Sequence, residues 1–316
     1  MSTKRVAVVG AGVIGLTSAI VLAEDGFDVT VYAEQIPGAT SLAAGASWGP
    51  YLVQPYDRVQ TWAAHTLAVL TEHADQPQYG VSMLSGIEAS RNATVLPAWA
   101  AALPGVRSCE PGELSAGFTC GWRYKIPVVD MPVYLNALIA RLLAAGGSFV
   151  QRRLDHLDEL GRQFDAVVNA SGLGAAVLAD DATLYPVRGQ LVVVTNPGIT
   201  EFFSEDTGDS ADLTHFLPHR DHVVLGGTAS TINADSEIDL DVSAAIMGRC
   251  AAIEPRLASA TVIEHRVGLR PTRPEIRVEI DRSHQGLVVH NYGHGGAGLS
   301  LSWGCAQTTR LMVIEG

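Results

Sequence analysis

The sequence predicts an α/β fold (α+β overall), in which a discontinuous Rossmann-like domain is interleaved with a second domain built on a mainly antiparallel sheet. Strand, glycine turn and helix follow one another at the N-terminus, and similar elements recur mid-chain and at the end. Strand-like stretches joined by turns lie between them, as is typical of antiparallel sheets. We expect residues 1–50, 130–180 and 266–316 to form the first domain, and residues 51–129 and 181–265 the second.

Hydrophobic periodicity gives the elements in order. The first half predicts strands at Lys4–Val9, Asp28–Ala33, Ser148–Arg152 and Phe164–Asn169, and helices at Leu16–Asp25, Asp57–His73 and Pro132–Ala145. The second half predicts strands at Arg188–Thr195, His222–Gly227, Glu275–Ile280 and Leu287–Asn291, and helices at Ser243–Ile253 and Gly298–Ile314. Residues 74–129 predict a looser region with short strand-like pieces, and Arg266–Pro274 predicts a short turn stiffened by prolines.

Composition narrows the class of protein. A chain of 316 residues that is 47% hydrophobic can bury a substantial core. Its 21 basic and 33 acidic residues give a net charge of −12, which argues against nucleic-acid or anionic-membrane surfaces. The four cysteines are widely spaced and predict neither a zinc site nor a disulfide framework. The short N-terminal apolar run is neither a signal peptide nor a membrane span, and we expect a cytoplasmic protein.

A dinucleotide fingerprint opens the chain. Gly10, Gly12 and Gly15 follow a predicted strand and begin a predicted helix, which is the context this motif requires. The glycines permit a tight turn, close approach of a pyrophosphate and close packing of helix on strand. Glu34 ends the second predicted strand, where its carboxylate can accept ribose hydroxyls. The motif indicates a dinucleotide and does not separate NAD from FAD.

Two further features lie near the C-terminus. Arg270 stands between Leu269 and Pro271, where a guanidinium can be aimed at a carboxylate and bind it through two parallel hydrogen bonds. The alternative is a surface arginine paired with Glu264 or Glu275. A glycine run then precedes a helix, which is typical of backbone that closely approaches a ligand or of a helix start that merely packs closely. This run contains Gly293, Gly295, Gly296 and Gly298.

Together the motifs resemble the D-amino-acid oxidase family, which includes the D-aspartate oxidases, and most resemble its short bacterial members. The resemblance implies FAD as the cofactor. It also implies oxidation of a D-amino acid by O2 through hydride transfer from the α-carbon to flavin N5. The products would be hydrogen peroxide and an imino acid that hydrolyses to a 2-oxo acid and ammonia. The motifs are Val8–Leu16, Ala43–Gly45, Pro50-Tyr51, Val168–Gly172, Val187–Gln190, Leu225–Gly227, Gly268–Pro271 and Asn291–Gly296.

The resemblance also assigns residues. The catalytic groups would be Arg270, which binds the substrate carboxylate, and Gly296, whose carbonyl accepts a hydrogen bond from the substrate amine. Tyr51 and His215 would complete the substrate site. The segment Ala44–Tyr51 is one residue longer than in the family, so contacts of residues 46–49 are not carried over. The cofactor would contact Gly10, Gly12, Val13, Ile14, Gly15, Glu34, Thr40, Ser41, Ala44, Gly45, Leu154, Ser171, Gly172, Gly293, Gly295, Gly296, Gly298, Leu299 and Ser300.

His215 departs from the family, which usually has a tyrosine here that helps the arginine hold the carboxylate. One hypothesis is that His215 changes specificity toward a substrate with a second polar or acidic group, aided by His219, Arg220 and His222. The alternative is a neutral histidine in an ordinary pocket. Arg188 either reaches FAD or forms a structural ion pair. The remaining histidines show no metal-ligand spacing, and we expect no metal.

Three functions follow from these patterns. The first is a D-amino-acid oxidase whose partners are a small D-amino acid and O2, with no nucleic acid or membrane and with a homodimer left open. The second is an oxidase of glycine or N-methylated amino acids with the same fold. The third is an NAD-dependent reductase, or a nucleotide-binding regulator without turnover. The pair of motifs around Arg270 and Gly296 favours the first.

Overall fold

One sheet runs through the part of the chain that the structure describes. The structure is a computed structural model and describes residues 4–50, 53–92, 95–206, 212–284 and 286–316. The strands are β1 Arg5–Val9, β2 Asp28–Ala33, β3 Ala46–Ser47, β4 Val81–Ser90, β5 Arg107–Ser108, β6 Cys120–Val129, β7 Ser148–Gln151, β8 Ala166–Asn169, β9 Tyr185–Thr195, β10 Phe202–Asp206, β11 Asp212–Pro218, β12 His222–Thr228, β13 Val262–Asp281 and β14 Leu287–His294. Their order is β3-β6-β4-β10-β11-β12-β9-β13-β14-β8-β1-β2-β7, and β5 pairs with β6.

Eight helices accompany these strands in the described ranges. Only α1, α3, α5, α7 and α8 exceed four residues. None of the described helices is long and apolar enough to cross a bilayer. The helices are α1 Val13–Glu24, α2 Ala39–Leu42, α3 Tyr56–Ala74, α4 Ala98–Ala101, α5 Met131–Ala144, α6 Ala175–Leu178, α7 Leu240–Ile253 and α8 Gly298–Glu315.

The half of the sheet formed by β14, β8, β1, β2 and β7 is entirely parallel. Parallel strands need helical crossovers that cover the sheet, and the central strands β1 and β8 are accordingly buried and rich in valine and alanine. Helix α1 packs against α5 and α8 on one face. Its residues Leu16, Ile20 and Leu22 are fully buried, because other helices surround it. This half therefore gives the fingerprint helix a rigid support.

In the other half, β13, β9, β12, β11 and β10 are successively antiparallel, and β10 continues in parallel with β4. Helix α7 covers one face of these strands, where Val192, Phe216 and Leu225 join its Ile246 in an apolar core. Because side chains alternate along a strand, His215 faces the side opposite that core. The predicted fold class is confirmed.

Strand β13 corrects one prediction. The segment Arg266–Pro274 is not a short turn, because it lies inside the 20-residue β13. Pro271 stands opposite Pro186 in the register with β9. Two opposed residues that both lack an N–H fit a non-hydrogen-bonded position, so the prolines do not break the ladder. The first part of β13 pairs with β9 and its last part with β14, so this strand joins the two halves of the sheet.

Most predicted helices and strands lie where the structure has them, with ends that differ by a few residues. The strand predicted at Glu275–Ile280 is only the last part of β13, Val262–Asp281. The looser region predicted for residues 74–129 is wrong, since it contains β4 and β6 as a ten-residue antiparallel pair. Glycine, proline and charged residues interrupt the apolar alternation of these strands, and the pairing of one strand with the other compensates. Strands β10 and β11 were also not predicted.

Candidate functional site

The fingerprint turn has no room for side chains. Gly10 has φ +113°, and a Cβ on it would lie 2.3 Å from the carbonyl oxygen of Ala170 at the end of β8. A Cβ on Gly15 would lie 1.9 Å from the carbonyl oxygen of Gly10. These glycines therefore let β1, β8 and α1 meet with their backbones almost in contact.

The N-terminus of α1 is open to an anion. Its N-cap residue Gly12 makes no side-chain capping bond, and the first turn has no acidic residue. The amide of Val13 donates to Ser41 Oγ at 3.0 Å, so residues 38–42 lie directly beside the turn. Unpaired amides and the positive end of the helix dipole suit a pyrophosphate. The fingerprint residues, with Ile14 behind them, therefore fit a dinucleotide.

The second glycine run reaches the same place from β14. A Cβ on Gly298 would lie 3.8 Å from Val13 Cγ1, which shows that α8 begins against the start of α1. Gly293 and Gly295 have φ of +86° and +53°, values that favour glycine. The first turn of α8 has no acidic residue and its N-cap, Ala297, has no capping side chain. Two open helix N-termini therefore face one region of the molecule.

Arg270 lies beside this run. A Cβ on Gly296 would be 3.5 Å from Arg270 Cδ, so the structure brings together the two residues predicted to be catalytic. Arg270 Nη1 donates to the carbonyl oxygen of Thr228 at 2.9 Å. The guanidinium lies over Gly189, where a Cβ would be 2.5 Å from both terminal nitrogens. Gly189 is thus required to leave space for the arginine.

Arg270 has no carboxylate partner among the described residues. The alternative pairings are not observed there: Glu264 pairs with Arg266, and the backbone carbonyl of Glu275 accepts a hydrogen bond from Arg273. Burial lowers the pKa of the Arg270 guanidinium. An arginine nevertheless stays charged in proteins, so this partly buried cation is suited to an anionic ligand.

His215 is the neighbour of Arg270 across the site. Its ring lies over Gly226 on β12, where a Cβ would be 2.0 Å from the ring atoms Cε1 and Nε2. Burial and the charge of Arg270 lower the pKa of His215 to about 4, so the imidazole is neutral near pH 7. Its Nε2 is buried and has no hydrogen-bond partner among the described residues. A neutral ring nitrogen beside a guanidinium can complete the binding of a carboxylate.

Three residues predicted to support His215 lie elsewhere. His219, Arg220 and His222 are at the turn between β11 and β12, roughly 13 Å along the strand from His215. His219 and His222 face Asp130. The structure does not bring these three residues together with Arg270, so their contribution to substrate specificity stays a prediction that the geometry does not support.

Among the other predicted site residues, Thr40, Ser171 and Ser300 make side-chain hydrogen bonds. Thr40 Oγ1 donates to the carbonyl oxygen of Leu269, and Ser300 Oγ exchanges hydrogen bonds with the backbone of Gly49, so both join segments around the site. Ser171 donates to Asn169 Oδ1 at the end of β8. The remaining residues are Gly172 near Pro271, Ala44 partly buried, Gly45 against Val224, Leu299 buried at the start of α8, Leu154 in the core below the parallel strands, and exposed Glu34 after β2.

Tyr51 lies outside the described residues. Arg188 has the structural role that the sequence left open, since it pairs with Asp235 at 3.4 Å and donates to Gln190 Oε1. Two residues that shape the site were not predicted as site residues: Gly189 and Gly226. Their signal was a glycine inside a strand pattern, which often marks the close approach of another group.

These features fit a dinucleotide-binding α/β protein with an arginine suited to a carboxylate. Residues 5–310 match the DAO family, described as FAD dependent oxidoreductase. The chain is 45% identical to a D-amino-acid oxidase of Rubrobacter xylanophilus, over 96% of this chain and 94% of that protein. It is 36% identical to the D-aspartate oxidase of Homo sapiens, over 100% of this chain and 96% of that protein.

A solved structure shares the fold. Glycine oxidase from Geobacillus kaustophilus superposes with a TM-score of 0.82 at 20% identity, and the match covers 99% of this chain and 95% of that chain. The protein therefore belongs to the DAO family of FAD-dependent oxidoreductases, and its cofactor is FAD. The predictions of a flavoprotein and an oxidoreductase are confirmed.

Proposed function

We propose that this protein is a D-amino-acid oxidase. It converts a D-amino acid and O2 into an imino acid and hydrogen peroxide, and the imino acid hydrolyses to a 2-oxo acid and ammonia. The observation that carries the proposal is the partly buried guanidinium of Arg270, which lacks a carboxylate among the described residues and lies against Gly296. The relatives named as D-amino-acid and D-aspartate oxidases support the same reaction.

The residues of the site position the substrate. Arg270 binds its α-carboxylate through two parallel hydrogen bonds and so fixes its orientation. The carbonyl oxygen of Gly296 accepts a hydrogen bond from the amine, and His215 donates a third hydrogen bond to the carboxylate through Nε2. Tyr51 contributes to the pocket wall on the strength of the family resemblance. When bound, FAD supplies the acceptor for the hydride leaving the α-carbon.

The cofactor contacts are part of the proposal. The glycines of both runs, Val13 and Ile14 would lie against FAD, with the two open helix N-termini directed at its anionic parts. Residues 1–50, 130–180 and 266–316 would be the FAD-binding domain, and residues 51–129 and 181–265 the substrate domain. The remaining contacts would come from Glu34, Thr40, Ser41, Ala44, Gly45, Leu154, Ser171, Gly172, Leu299 and Ser300.

A substrate panel with peroxide detection tests the reaction. We expect peroxide and 2-oxo acid in equal amounts from several D-amino acids and neither from their L-enantiomers. Turnover confined to glycine, sarcosine or L-amino acids would contradict the proposal and favour another oxidase of this fold. Reduction of the enzyme by D-amino acids without peroxide formation would show that O2 is not the acceptor.

His215 is proposed to tune the choice among D-amino acids. Its neutral imidazole lies beside Arg270, where the family usually has a tyrosine. The experiment compares D-aspartate, D-glutamate, D-alanine and D-phenylalanine for the wild type and His215→Tyr. We expect the variant to change the ratio of kcat/KM between acidic and neutral substrates. Unchanged kcat and KM for all four would show that His215 does not determine specificity.

Two finer points belong to this proposal. The four cysteines are free thiols, which supports a reducing, cytoplasmic location. A homodimer remains a prediction, and sedimentation of the FAD-loaded protein tests it.

A further inference from the structure

Two histidines and an aspartate lie together at the tip of the β11–β12 hairpin. The rings of His219 and His222 are stacked, with centroids 4.5 Å apart and 21° between their planes. His222 Nε2 lies 3.9 Å from Asp130 Oδ2. One ligand atom from each of the three residues lies within 4.8 Å of the other two. This spacing requires only small side-chain movements to bring all three onto one ion.

The backbone holds these residues in place. The amide of His219 donates to the carbonyl oxygen of His222 at 2.8 Å, which closes the two-residue turn and puts both side chains on one face. Asp130 is the N-cap residue of α5, and its amide donates to the carbonyl oxygen of Gly80 at 2.9 Å. The ligand atoms are therefore attached to two ordered elements that are distant in sequence.

The chemistry of the His222 ring suits a metal. His222 Nδ1 lies 2.8 Å from Asp221 Oδ1, so the proton is on Nδ1 and the lone pair of Nε2 is directed toward Asp130. A carboxylate that orients a histidine in this way is the usual second partner of a metal-ligating imidazole.

The charges around the cluster favour a cation. Asp130 and Asp221 are the carboxylates in contact with the histidines. The positive charge of Arg266 lies near His219, but Arg266 is paired with Glu264, and Arg220 in the turn is exposed. All three ligand residues are partly exposed, so an ion can reach them from solvent.

A second histidine–aspartate cluster in the described residues lacks these properties. It comprises Asp281, His284 and His290. His290 uses Nε2 on Asp281 at 3.1 Å, and its Nδ1 lies 3.3 Å from Asn169 Nδ2. Both ring nitrogens are thus engaged, and no free lone pair is directed at a shared point. The comparison singles out the cluster at the hairpin tip.

We infer that His219, His222 and Asp130 bind one divalent transition-metal ion, with Zn²⁺ the best match to two imidazoles and a carboxylate and with water as the fourth ligand. The ion links the hairpin that carries His215 and Gly226 to the start of α5. It lies away from Arg270 and takes no part in the oxidation. Its role is to fasten the hairpin against that helix.

Zinc binding to the FAD-loaded enzyme at pH 7.5 tests the inference. Equilibrium dialysis against Zn²⁺ alone, followed by elemental analysis, gives the number of bound ions and Kd. We expect one ion with Kd on the order of 1 µM or tighter. The Tm should rise by about 4 °C when free Zn²⁺ exceeds Kd a hundredfold.

Variants locate the site. His219→Ala and His222→Ala should each weaken binding by about a hundredfold, and Asp130→Asn by about tenfold. The matched control is His284→Ala, which removes another partly exposed histidine and should bind like the wild type. If either histidine variant fails to fold, Asp221→Asn replaces it as the test, because it keeps both ligand rings. This variant should weaken binding by about tenfold.

Two results would overturn the inference. One is a wild-type enzyme that holds no Zn²⁺ more tightly than about 100 µM. The other is equal binding by the wild type and by the folded variants at residues 130, 219, 221 and 222. Neither result bears on D-amino-acid oxidation, because none of these residues lies in the proposed substrate site.

Discussion

Arg270 and Arg188 lie on neighbouring strands and differ in what they need. Leu269 stands opposite Arg188 and Val187 opposite Arg270, so the two side chains point to opposite faces of the sheet. Arg188 is buried with Asp235 and several oxygen acceptors around it. Arg270 has one backbone carbonyl and no carboxylate in the described ranges. We therefore infer that Arg188 stabilises the fold, whereas Arg270 binds the substrate.

The largest effect is expected from a substitution of Arg270, which tests the comparison of the two arginines directly. Replacing Arg270 by Leu should lower kcat/KM for D-alanine by about a thousandfold, because the bidentate carboxylate contact is lost. The Tm of the substrate-free, FAD-loaded enzyme should stay the same or rise, since a partly buried charge without a carboxylate partner in the described ranges is removed. Steady-state kinetics and thermal unfolding measure the two quantities.

Arg188→Leu is the matched control. It should lower stability by about 2 kcal/mol, because Asp235 and buried oxygen atoms lose their partner, while kcat/KM changes by less than about tenfold. If both variants lose stability equally and keep their activity, the distinction between the two arginines is wrong.

Gly189→Ala sharpens the comparison without touching a charge. The new Cβ would lie 2.5 Å from the terminal nitrogens of Arg270 and would displace the guanidinium. We expect kcat/KM to fall by about 10- to 100-fold with FAD retained. The control is Gly248→Ala. Gly248 is exposed on α7 and no atom lies within 4 Å of the new Cβ, so kcat/KM should not change. A fully active Gly189→Ala would show that the position of Arg270 is not constrained by this glycine.

His215 makes the stability of the folded protein depend on pH. Its pKa falls from 6.5 to about 4 in the folded protein, so between these values the unfolded chain binds the extra proton. The free energy of unfolding therefore decreases as the pH falls from 6.5 to 4, and above pH 6.5 His215 causes no such loss. His215→Gln should recover about 2 kcal/mol at pH 4.5 relative to its effect at pH 7.5. Urea unfolding at both pH values checks this, and a pH-independent difference would contradict it.

The smallest effect concerns the fingerprint. Ser41→Ala removes the acceptor for the Val13 amide at the start of α1. We expect a loss of about 1 kcal/mol in stability and a several-fold weaker affinity for FAD. Fluorescence titration of the apoprotein with FAD measures the affinity. Tighter binding in the variant would mean that Ser41 competes with the cofactor for that amide.

The two halves of the sheet also differ in how well the sequence predicts them. The fingerprint is largely a local signal, because strand, glycine turn and helix are consecutive in sequence, and the structure has that turn where the motif predicts it. Only the close approach of Gly10 to Ala170 joins distant segments. The pocket is not local. Gly189 and Gly226 matter because β13 and β11 carry Arg270 and His215 across them, and strand pairing is not visible in a single strand.

Strand pairing between distant segments also explains why the segment Arg266–Pro274 was wrongly predicted to be a turn. Proline-flanked Arg270 predicts a turn when its segment is taken alone. The pairing of Pro271 with Pro186 is what makes a strand acceptable there, and that pairing joins segments far apart in sequence. The chemistry of Arg270 left its role open in the sequence, and the family resemblance assigned it to the substrate carboxylate. The lack of a carboxylate partner in the described ranges is visible only in three dimensions.

Anaerobic titration of the FAD-loaded enzyme tests the central claim most directly. The absorbance near ~450 nm of bound flavin should bleach with D-alanine and not with L-alanine. Arg270→Leu should bleach only at about a thousandfold lower second-order rate, while Arg188→Leu behaves like the wild type. Equal bleaching rates of the wild type and Arg270→Leu, or bleaching by L-alanine alone, would contradict the account.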